Sequence, residues 1–125
     1  MKKILVPLLL LYFLESLAQT APGNIRLNQV GFLPEAQKIA VVVGSSQSAF
    51  EVIKNSNSAV VFSGTLSASK YWSKSEEDVK IADFSDFKTR GTYRLKLGNG
   101  DLSHPFKIAD DVLLDVTSAT IKAYY

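Results

Sequence analysis

Two aspartates near the end of an apolar segment, Asp83 and Asp86, form the carboxylate pair whose spacing best suits acid–base chemistry. Paired carboxyl groups can act as general acid and general base when both face one substrate. An Asp-x-x-Asp sequence at a strand end is more typical of a turn, because short acidic side chains bond their own backbone there. We therefore predict no catalytic role for either residue.

Other candidate sites for metals or cofactors are weak. His104 is the only histidine, so no multi-histidine metal site can form. The acidic run at residues 76–78 is typical of a solvated surface, although calcium could use it if backbone oxygens joined in. The Gly-x-Gly at residues 98–100 is not followed by the helix that phosphate binding needs. The sequence thus predicts no catalytic, cofactor-binding or metal-binding residue.

One adjacent aromatic pair, Tyr71 and Trp72, could contact sugar directly, because pyranose rings stack on exposed aromatic faces. Neighbouring residues of a strand point to opposite faces, so both rings cannot stack on one ligand. A weak sugar contact at Trp72 stays open. We favour a partly buried plug or a contact with another module, since tryptophan is enriched in cores and interfaces.

Composition limits what positions these residues. The chain has 125 residues, room for one domain, and no cysteine, which excludes disulfides and thiolate metal sites. Lys2 and Lys3 precede an apolar run at residues 4–14 and small residues at 16–18, which predicts a signal peptide over residues 1–18 and a mature N-terminus at Gln19. The apolar run is too short to span a membrane, so cleavage and soluble export, to the periplasm or outside the cell, are expected.

Removing those 18 residues leaves 12 basic residues (14 minus 2) and 11 acidic ones (12 minus 1), a net charge of +1. Nucleic acid binding needs a clustered basic face, which this balance does not indicate. From Ile25 onward, apolar residues alternate and turn residues recur every eight to twelve positions. This pattern predicts an all-β, immunoglobulin-like two-sheet sandwich within residues 19–109. We expect about seven strands, at residues 25–28, 38–43, 49–54, 59–66, 77–82, 92–97 and 104–108.

Three positions within the sandwich carry specific expectations. The second strand is apolar on both faces, which predicts a central position. Gly31 is expected to have positive φ after the first strand. Tyr93 either returns its hydroxyl to backbone a few residues upstream, as tyrosines in sandwiches often do, or simply continues the apolar face of Leu95.

After Ile108 the period becomes helical, which predicts a short C-terminal helix from residue 110 that Asp110 or Asp111 could cap. Apolar residues occupy more than one side of it, at Leu113, Leu114, Val116 and Ile121. Such a helix is expected to pack among other helices. The alternative is a C-terminal lid folded back on the sandwich.

The order of three segments carries a family resemblance. They are IRLNQVGFLP at residues 25–34, ADFSDF and GTYRL at residues 82–87 and 91–95, and IKAYY at residues 121–125. Together they resemble the N-terminal immunoglobulin-like module of the family 9 glycoside hydrolases, the cellulase and endoglucanase family. In that family the last segment begins the first helix of an (α/α)6 catalytic barrel, so residues 110–125 would be the start of that helix. The family's catalytic aspartates lie in an Asp-Ala-Gly-Asp-like motif beyond the tyrosine pair, and no such motif occurs in this chain.

The resemblance implies an accessory module that braces a downstream catalytic barrel. The parent reaction would be inverting hydrolysis of β-1,4-glucosidic bonds, with polysaccharide bound by the barrel and this chain inactive alone. Inter-domain contacts are expected at Asn28, Gln29, Phe32, Tyr124 and Tyr125. The alternative is a free-standing carbohydrate-binding or adhesion domain. Cellulose, mixed-linkage glucans and glucosamine oligomers all stay open as substrates.

Overall fold

The structure, a computed structural model, describes residues 23–124. The expected signal peptide, the expected N-terminus at Gln19 and Tyr125 all lie outside the described residues. Within residues 23–124, no helix is long and apolar enough to cross a membrane.

Eight strands and one helix make up the described chain. They are β1 (Ile25–Leu27), β2 (Ile39–Val43), β3 (Ala49–Lys54), β4 (Val60–Thr65), β5 (Lys70–Trp72), β6 (Glu77–Asp83), β7 (Gly91–Leu97), β8 (Phe106–Ile108) and α1 (Leu114–Ala123). The seven predicted strands are all present, β3 with the predicted bounds and the others with ends shifted by at most two residues. The sequence missed β5, because three residues are too few to show alternation.

Two antiparallel four-stranded sheets form the sandwich. The first sheet has the order β1-β2-β6-β5 and the second has the order β4-β3-β7-β8. The immunoglobulin-like sandwich is therefore confirmed, and so is the central position of β2, between β1 and β6. A strand that is apolar on both faces suits a central position because neither face is left to water alone.

The core lies between the sheets and is rich in aromatic rings. Tyr93, Leu95 and Leu97 all face inward from β7 and are at most 3% exposed. The rings of Phe84 and Phe106 lie 5.3 Å apart between centroids. Aromatic side chains bury the largest apolar areas of any residue type, so a core of about fifteen residues suffices without disulfides.

Both expectations for Tyr93 are confirmed: its hydroxyl bonds to upstream backbone, and its ring continues the apolar face of Leu95. Its ring is buried at 3% exposure, and its hydroxyl donates a hydrogen bond to the carbonyl oxygen of Arg90 at 3.1 Å. Burial raises the pKa of the phenol, so the hydroxyl keeps its proton as a donor. A Cβ at position 91 would lie 2.8 Å from that hydroxyl, which explains why Gly91 begins the strand.

Candidate functional site

The candidate site is the place where the chain leaves the sandwich, beside the loop that joins β1 to β2. Asn28 starts this loop with a tight turn: its side-chain oxygen accepts from the Val30 amide at 3.0 Å, and its side-chain amide donates to the Gly31 carbonyl at 3.2 Å. Gly31 has φ of 113°, which confirms the expected left-handed conformation. Asn28 and Gln29 are therefore held at the surface, where both are exposed.

Residues 109–113, which connect β8 to α1 and which we call the exit segment, lie directly against this loop. The Phe32 amide donates to the Lys107 carbonyl at 2.8 Å, and the Ala109 amide donates to the Phe32 carbonyl at 3.1 Å. Two backbone hydrogen bonds thus join the loop of the first sheet to the last strand of the second. The motif that carries the family resemblance and the exit of the chain are neighbours in space.

Glycine is required at position 31 because the exit segment lies against it. A Cβ there would approach the Lys107 carbonyl oxygen to 2.6 Å and the Cγ1 atom of Val112 to 3.0 Å. Val112 is 7% exposed, so its side chain is buried in this contact. Any larger residue would push the exit segment away from the sandwich.

Phe32 lies in the sandwich core rather than at the surface of the junction. It is 7% exposed, and its ring makes edge-to-face contacts with Phe84 and Phe106 at centroid distances of 5.4 and 5.7 Å. The ring is thus surrounded by the sandwich core, and the inter-domain contact expected at Phe32 stays a prediction. Its backbone, in contrast, does take part in the junction.

Two ion pairs fasten the exit segment. Arg90 grips Asp110 with two hydrogen bonds, Nε to Oδ2 at 2.5 Å and Nη2 to Oδ1 at 3.0 Å, and Lys107 donates to Asp111 at 3.2 Å. The hydrogen bonds from Arg90 hold the pKa of Asp110 below its usual value. The predicted cap is therefore wrong. Asp110 and Asp111 form ion pairs with basic side chains of the sandwich, and Leu113 occupies the N-cap position without a side-chain hydrogen bond.

Beyond this point the helix has no partner among the described residues. α1 buries none of its residues, and Leu114, Ile121 and Tyr124 are 65%, 53% and 84% exposed. The alternative of a lid packed on the sandwich does not match this arrangement. Tyr124 lies at the exposed C-cap, and the contact expected at Tyr125 lies outside the described residues.

A buried lysine that the sequence did not single out supports the loop from beneath. Lys38 is 0% exposed, and its ammonium group donates to the carbonyl oxygens of Pro34, Ala36 and Ser85 at 2.5, 2.9 and 3.3 Å. Burial lowers the pKa of this ammonium. The bonds tie the start of β2 to the crossover between β6 and β7. No sequence pattern signals this role, because a lysine before an apolar strand is usually solvated.

Asp83 and Glu77, two of the acidic residues singled out in the sequence, are engaged in local structure. Asp83 accepts hydrogen bonds from the amide and hydroxyl of Ser85 at 3.0 and 2.6 Å, which confirms the turn-forming interpretation and lowers its pKa. Glu77 pairs with both terminal nitrogens of Arg26 at 2.8 and 2.9 Å, and that pairing lowers its pKa. Within residues 23–124, no group of three or more acidic, histidine or cysteine side chains could hold a metal ion.

Trp72 and Tyr71 lie on β5, an edge strand of the first sheet. They are 50% and 59% exposed, so about half of the Trp72 side chain is buried. Trp72 pairs with Glu77 and Tyr71 with Asp78, which places the two rings on opposite faces of the sheet, as expected. A contact with another module and a weak sugar contact both remain compatible with this exposure.

Comparison with known proteins gives a consistent result. The family model for the cellulase N-terminal Ig-like domain matches residues 20–101. A cellulose 1,4-beta-cellobiosidase of Acetivibrio thermocellus is 36% identical over 108 residues, a match that covers 82% of this chain and 12% of the relative. A xyloglucan-specific endo-beta-1,4-glucanase of Bacteroides ovatus is 34% identical over 103 residues, covering 81% and 17%.

Solved structures agree with the sequence relatives. A Bacteroides ovatus GH9 structure superposes with a TM-score of 0.71 at 33% identity, covering 82% of this chain and 18% of the other. A GH family 9 endoglucanase gives a TM-score of 0.62 at 43% identity, covering 65% and 15%. The chain therefore spans less than a fifth of the length of these proteins.

Proposed function

Since this chain belongs to the family of cellulase N-terminal Ig-like domains, we propose that it is the accessory module of a secreted polysaccharide-degrading enzyme and braces a catalytic domain that follows it. The downstream part would hydrolyse β-1,4-glucosidic bonds, an activity that the names of the relatives attribute to them. The sandwich itself would make no contact with the scissile bond.

The observation that supports this proposal is that residues 109–113 are bonded to the sandwich, whereas the helix that follows them has no partner among the described residues. Two backbone bonds, two ion pairs and the Val112 contact fix the chain as far as residue 112. Immediately afterwards, α1 exposes apolar side chains on more than one side. A rigid exit followed by a helix that needs neighbours suits a module that holds the next domain in one orientation.

The matching experiment compares three polypeptides in a reducing-sugar assay. Residues 19–125 alone should release no sugar from carboxymethylcellulose or β-glucan, because hydrolysis needs two carboxyl groups that face one substrate and Asp83 is already bonded by Ser85. The polypeptide extended through the downstream sequence should be active. The downstream sequence alone should lose most of its activity or melt at a lower temperature.

Two results would count against the proposal. Turnover by residues 19–125 that disappears in Asp83→Ala or Asp86→Ala would make the chain itself an enzyme. Full activity and unchanged melting of the downstream sequence alone would remove the bracing role. Arg90→Gln in the extended polypeptide is a milder variant, because it removes the ion pair with Asp110 and leaves the core side chains unchanged.

Secretion is a separate part of the proposal. It depends on the lysine pair, the short apolar run and the small residues at positions 16–18. N-terminal sequencing of exported material should return Gln19. Recovery of Met1 or a residue of the apolar run would contradict cleavage at this site.

A free-standing glycan-binding role is the second candidate, favoured by the half-exposed ring of Trp72. If the gene ended at Tyr125, residues 19–125 should then be retained on insoluble cellulose. Trp72→Ala should abolish retention and Tyr71→Ala should leave it unchanged, since the two rings lie on opposite faces. Equal retention of both variants would indicate non-specific adsorption.

A further inference from the structure

The outward surface of the first sheet has an apolar centre on β2 and β6, which is unusual for a face that no other element of the described chain covers. Lys70, which pairs with Val79, and Asp83, which pairs with Ile39, lie on the same side at its margins. Opposite residues of antiparallel strands share a face, so the pairs Val41–Ile81 and Val43–Val79 lie together on this side, and the alternation of β2 adds Ile39. All five side chains are only half-buried. We call them, together with Trp72 at the β5 edge, the apolar face.

The second sheet presents the opposite chemistry. The outward positions of its central strands β3 and β7 are mainly polar, and Ile53, the large apolar residue among them, is already 3% exposed. The remaining outward positions of β3 and β7 include Glu51, Thr92, Arg94 and Lys96, and the edge strand β4 adds Val60 opposite Ile53. Solubility alone does not explain why one outer face carries mainly aliphatic side chains and the other mainly polar ones.

The rim of the apolar face resembles that of a protein interface. Arg26 and Glu77 form a bidentate ion pair that reaches across β2, and the Arg26 side chain remains 58% exposed. Trp72 shares this side of the sheet because it pairs with Glu77. Tryptophan and arginine are the residue types that contribute most to protein–protein binding, whereas sugar recognition would ask for several aromatic platforms instead of β-branched aliphatic side chains.

The chain also leaves the sandwich next to this sheet. The exit segment crosses from β8 to the loop that joins β1 and β2, where Ala109 bonds Phe32. β2 supplies three of the six residues of the apolar face, and it begins at the end of that loop. Arg90 and Lys107 hold the same segment from the side of the second sheet, so a domain that follows α1 starts at the end of the sandwich where β2 begins.

We infer that the apolar face docks the catalytic domain that follows this module. The inference rests on the proposed function and adds the surface through which bracing acts. Its partner is an apolar patch of the downstream helical domain, with polar groups at its edge that face Arg26 and Glu77. The relatives are six to eight times longer than their matching segments, so they have ample chain for such a contact.

Cysteine accessibility tests this inference cleanly, because residues 1–125 contain no native cysteine. Val41→Cys and Ile81→Cys place a thiol on the apolar face, and Thr92→Cys places the matched control on the second sheet. Each variant is made in residues 19–125 and in the extended polypeptide, and alkylation is followed by mass spectrometry of the peptide that carries the new thiol. Circular dichroism melting confirms that each variant is folded.

We expect the extended polypeptide to slow alkylation at positions 41 and 81 by about tenfold or more, as burial in an interface core requires. Alkylation at position 92 should change less than about twofold. Equal rates at position 41 in both polypeptides would overturn the inference, even if loss of the sandwich still impaired activity and so upheld the bracing role.

Two other outcomes are also decisive. Protection of positions 41 and 81 that grows with the concentration of residues 19–125 would identify a second copy of this chain as the occupant. A gene that ends at Tyr125 would remove the proposed function itself, and the docking inference with it. The labelling contrast and the activity of the truncated enzyme thus separate failure of the surface from failure of the function.

Discussion

The sandwich and the helix that follows it differ in how far their apolar side chains are buried. The sandwich buries fifteen residues in one core, while α1 buries none. Both segments are rich in aliphatic residues, so composition does not explain the difference. The strands have a second sheet to face and the helix has no partner within residues 23–124. Within residues 23–124 the sandwich therefore covers its own apolar side chains, and those of α1 stay exposed.

A core truncation should give the largest effect and test this contrast most directly. Phe106 contacts the rings of Phe32, Phe84 and Tyr93, so Phe106→Ala should lower the free energy of unfolding by about 3–5 kcal/mol. Ile121→Ala on α1 should change it by less than about 0.5 kcal/mol. Urea denaturation of residues 19–125 measures both. Similar losses in the two variants would show that the helix is packed after all.

The buried lysine should give the next largest effect. Lys38→Met keeps the aliphatic stem but leaves the carbonyl oxygens of Pro34, Ala36 and Ser85 without the ammonium, which should cost about 2–3 kcal/mol of unfolding free energy. Lys88→Met removes an exposed ion pair with Glu35 and should change the free energy of unfolding far less, because solvent screens that pair. Equal stability of the two variants in urea would contradict the anchoring role.

The stabilisation that the Arg90–Asp110 ion pair gives should be lost in acid. The folded state lowers the pKa of Asp110, so its contribution is complete above the unfolded value of 3.8 and is lost as pH falls through the folded value. The melting temperature of the wild type should therefore exceed that of Asp110→Asn at neutral pH, and the gap should close as the pH falls through the lowered pKa of the folded state. Asp86→Asn, outside the ion pairs of residues 23–124, is the control. A gap that persists in acid would mean that Asp110 does not act through its carboxylate.

Removal of the helix should have the smallest effect. Ending the chain after Leu113 should shift the melting temperature of the sandwich by less than about 2 °C, because α1 buries no residue against it. Amide hydrogens of residues 114–123 should exchange almost without protection in the isolated chain, since short isolated helices are marginal in water. Firm protection there, in a strictly monomeric sample, would contradict the unpartnered helix.

The sequence by itself determined the sandwich, because alternation is a local signal. The inward row of β7 and the two apolar faces of β2 follow from residue order alone, and both were predicted. Gly31 was also predictable, because a turn that needs positive φ selects glycine. The family resemblance is confirmed by the match over residues 20–101, which includes the segments at residues 25–34, 82–87 and 91–95.

Only the tertiary structure decided which residues meet. Lys38 is buried because three carbonyl oxygens from two separate loops converge on it, and Asp110 and Asp111 bind cations of the sandwich instead of capping α1. Phe32 lies in the core and Trp72 on an exposed face for the same kind of reason. Each outcome depends on the position of groups far away in sequence. Periodicity reports how one segment meets solvent, and it carries no information about those distant partners.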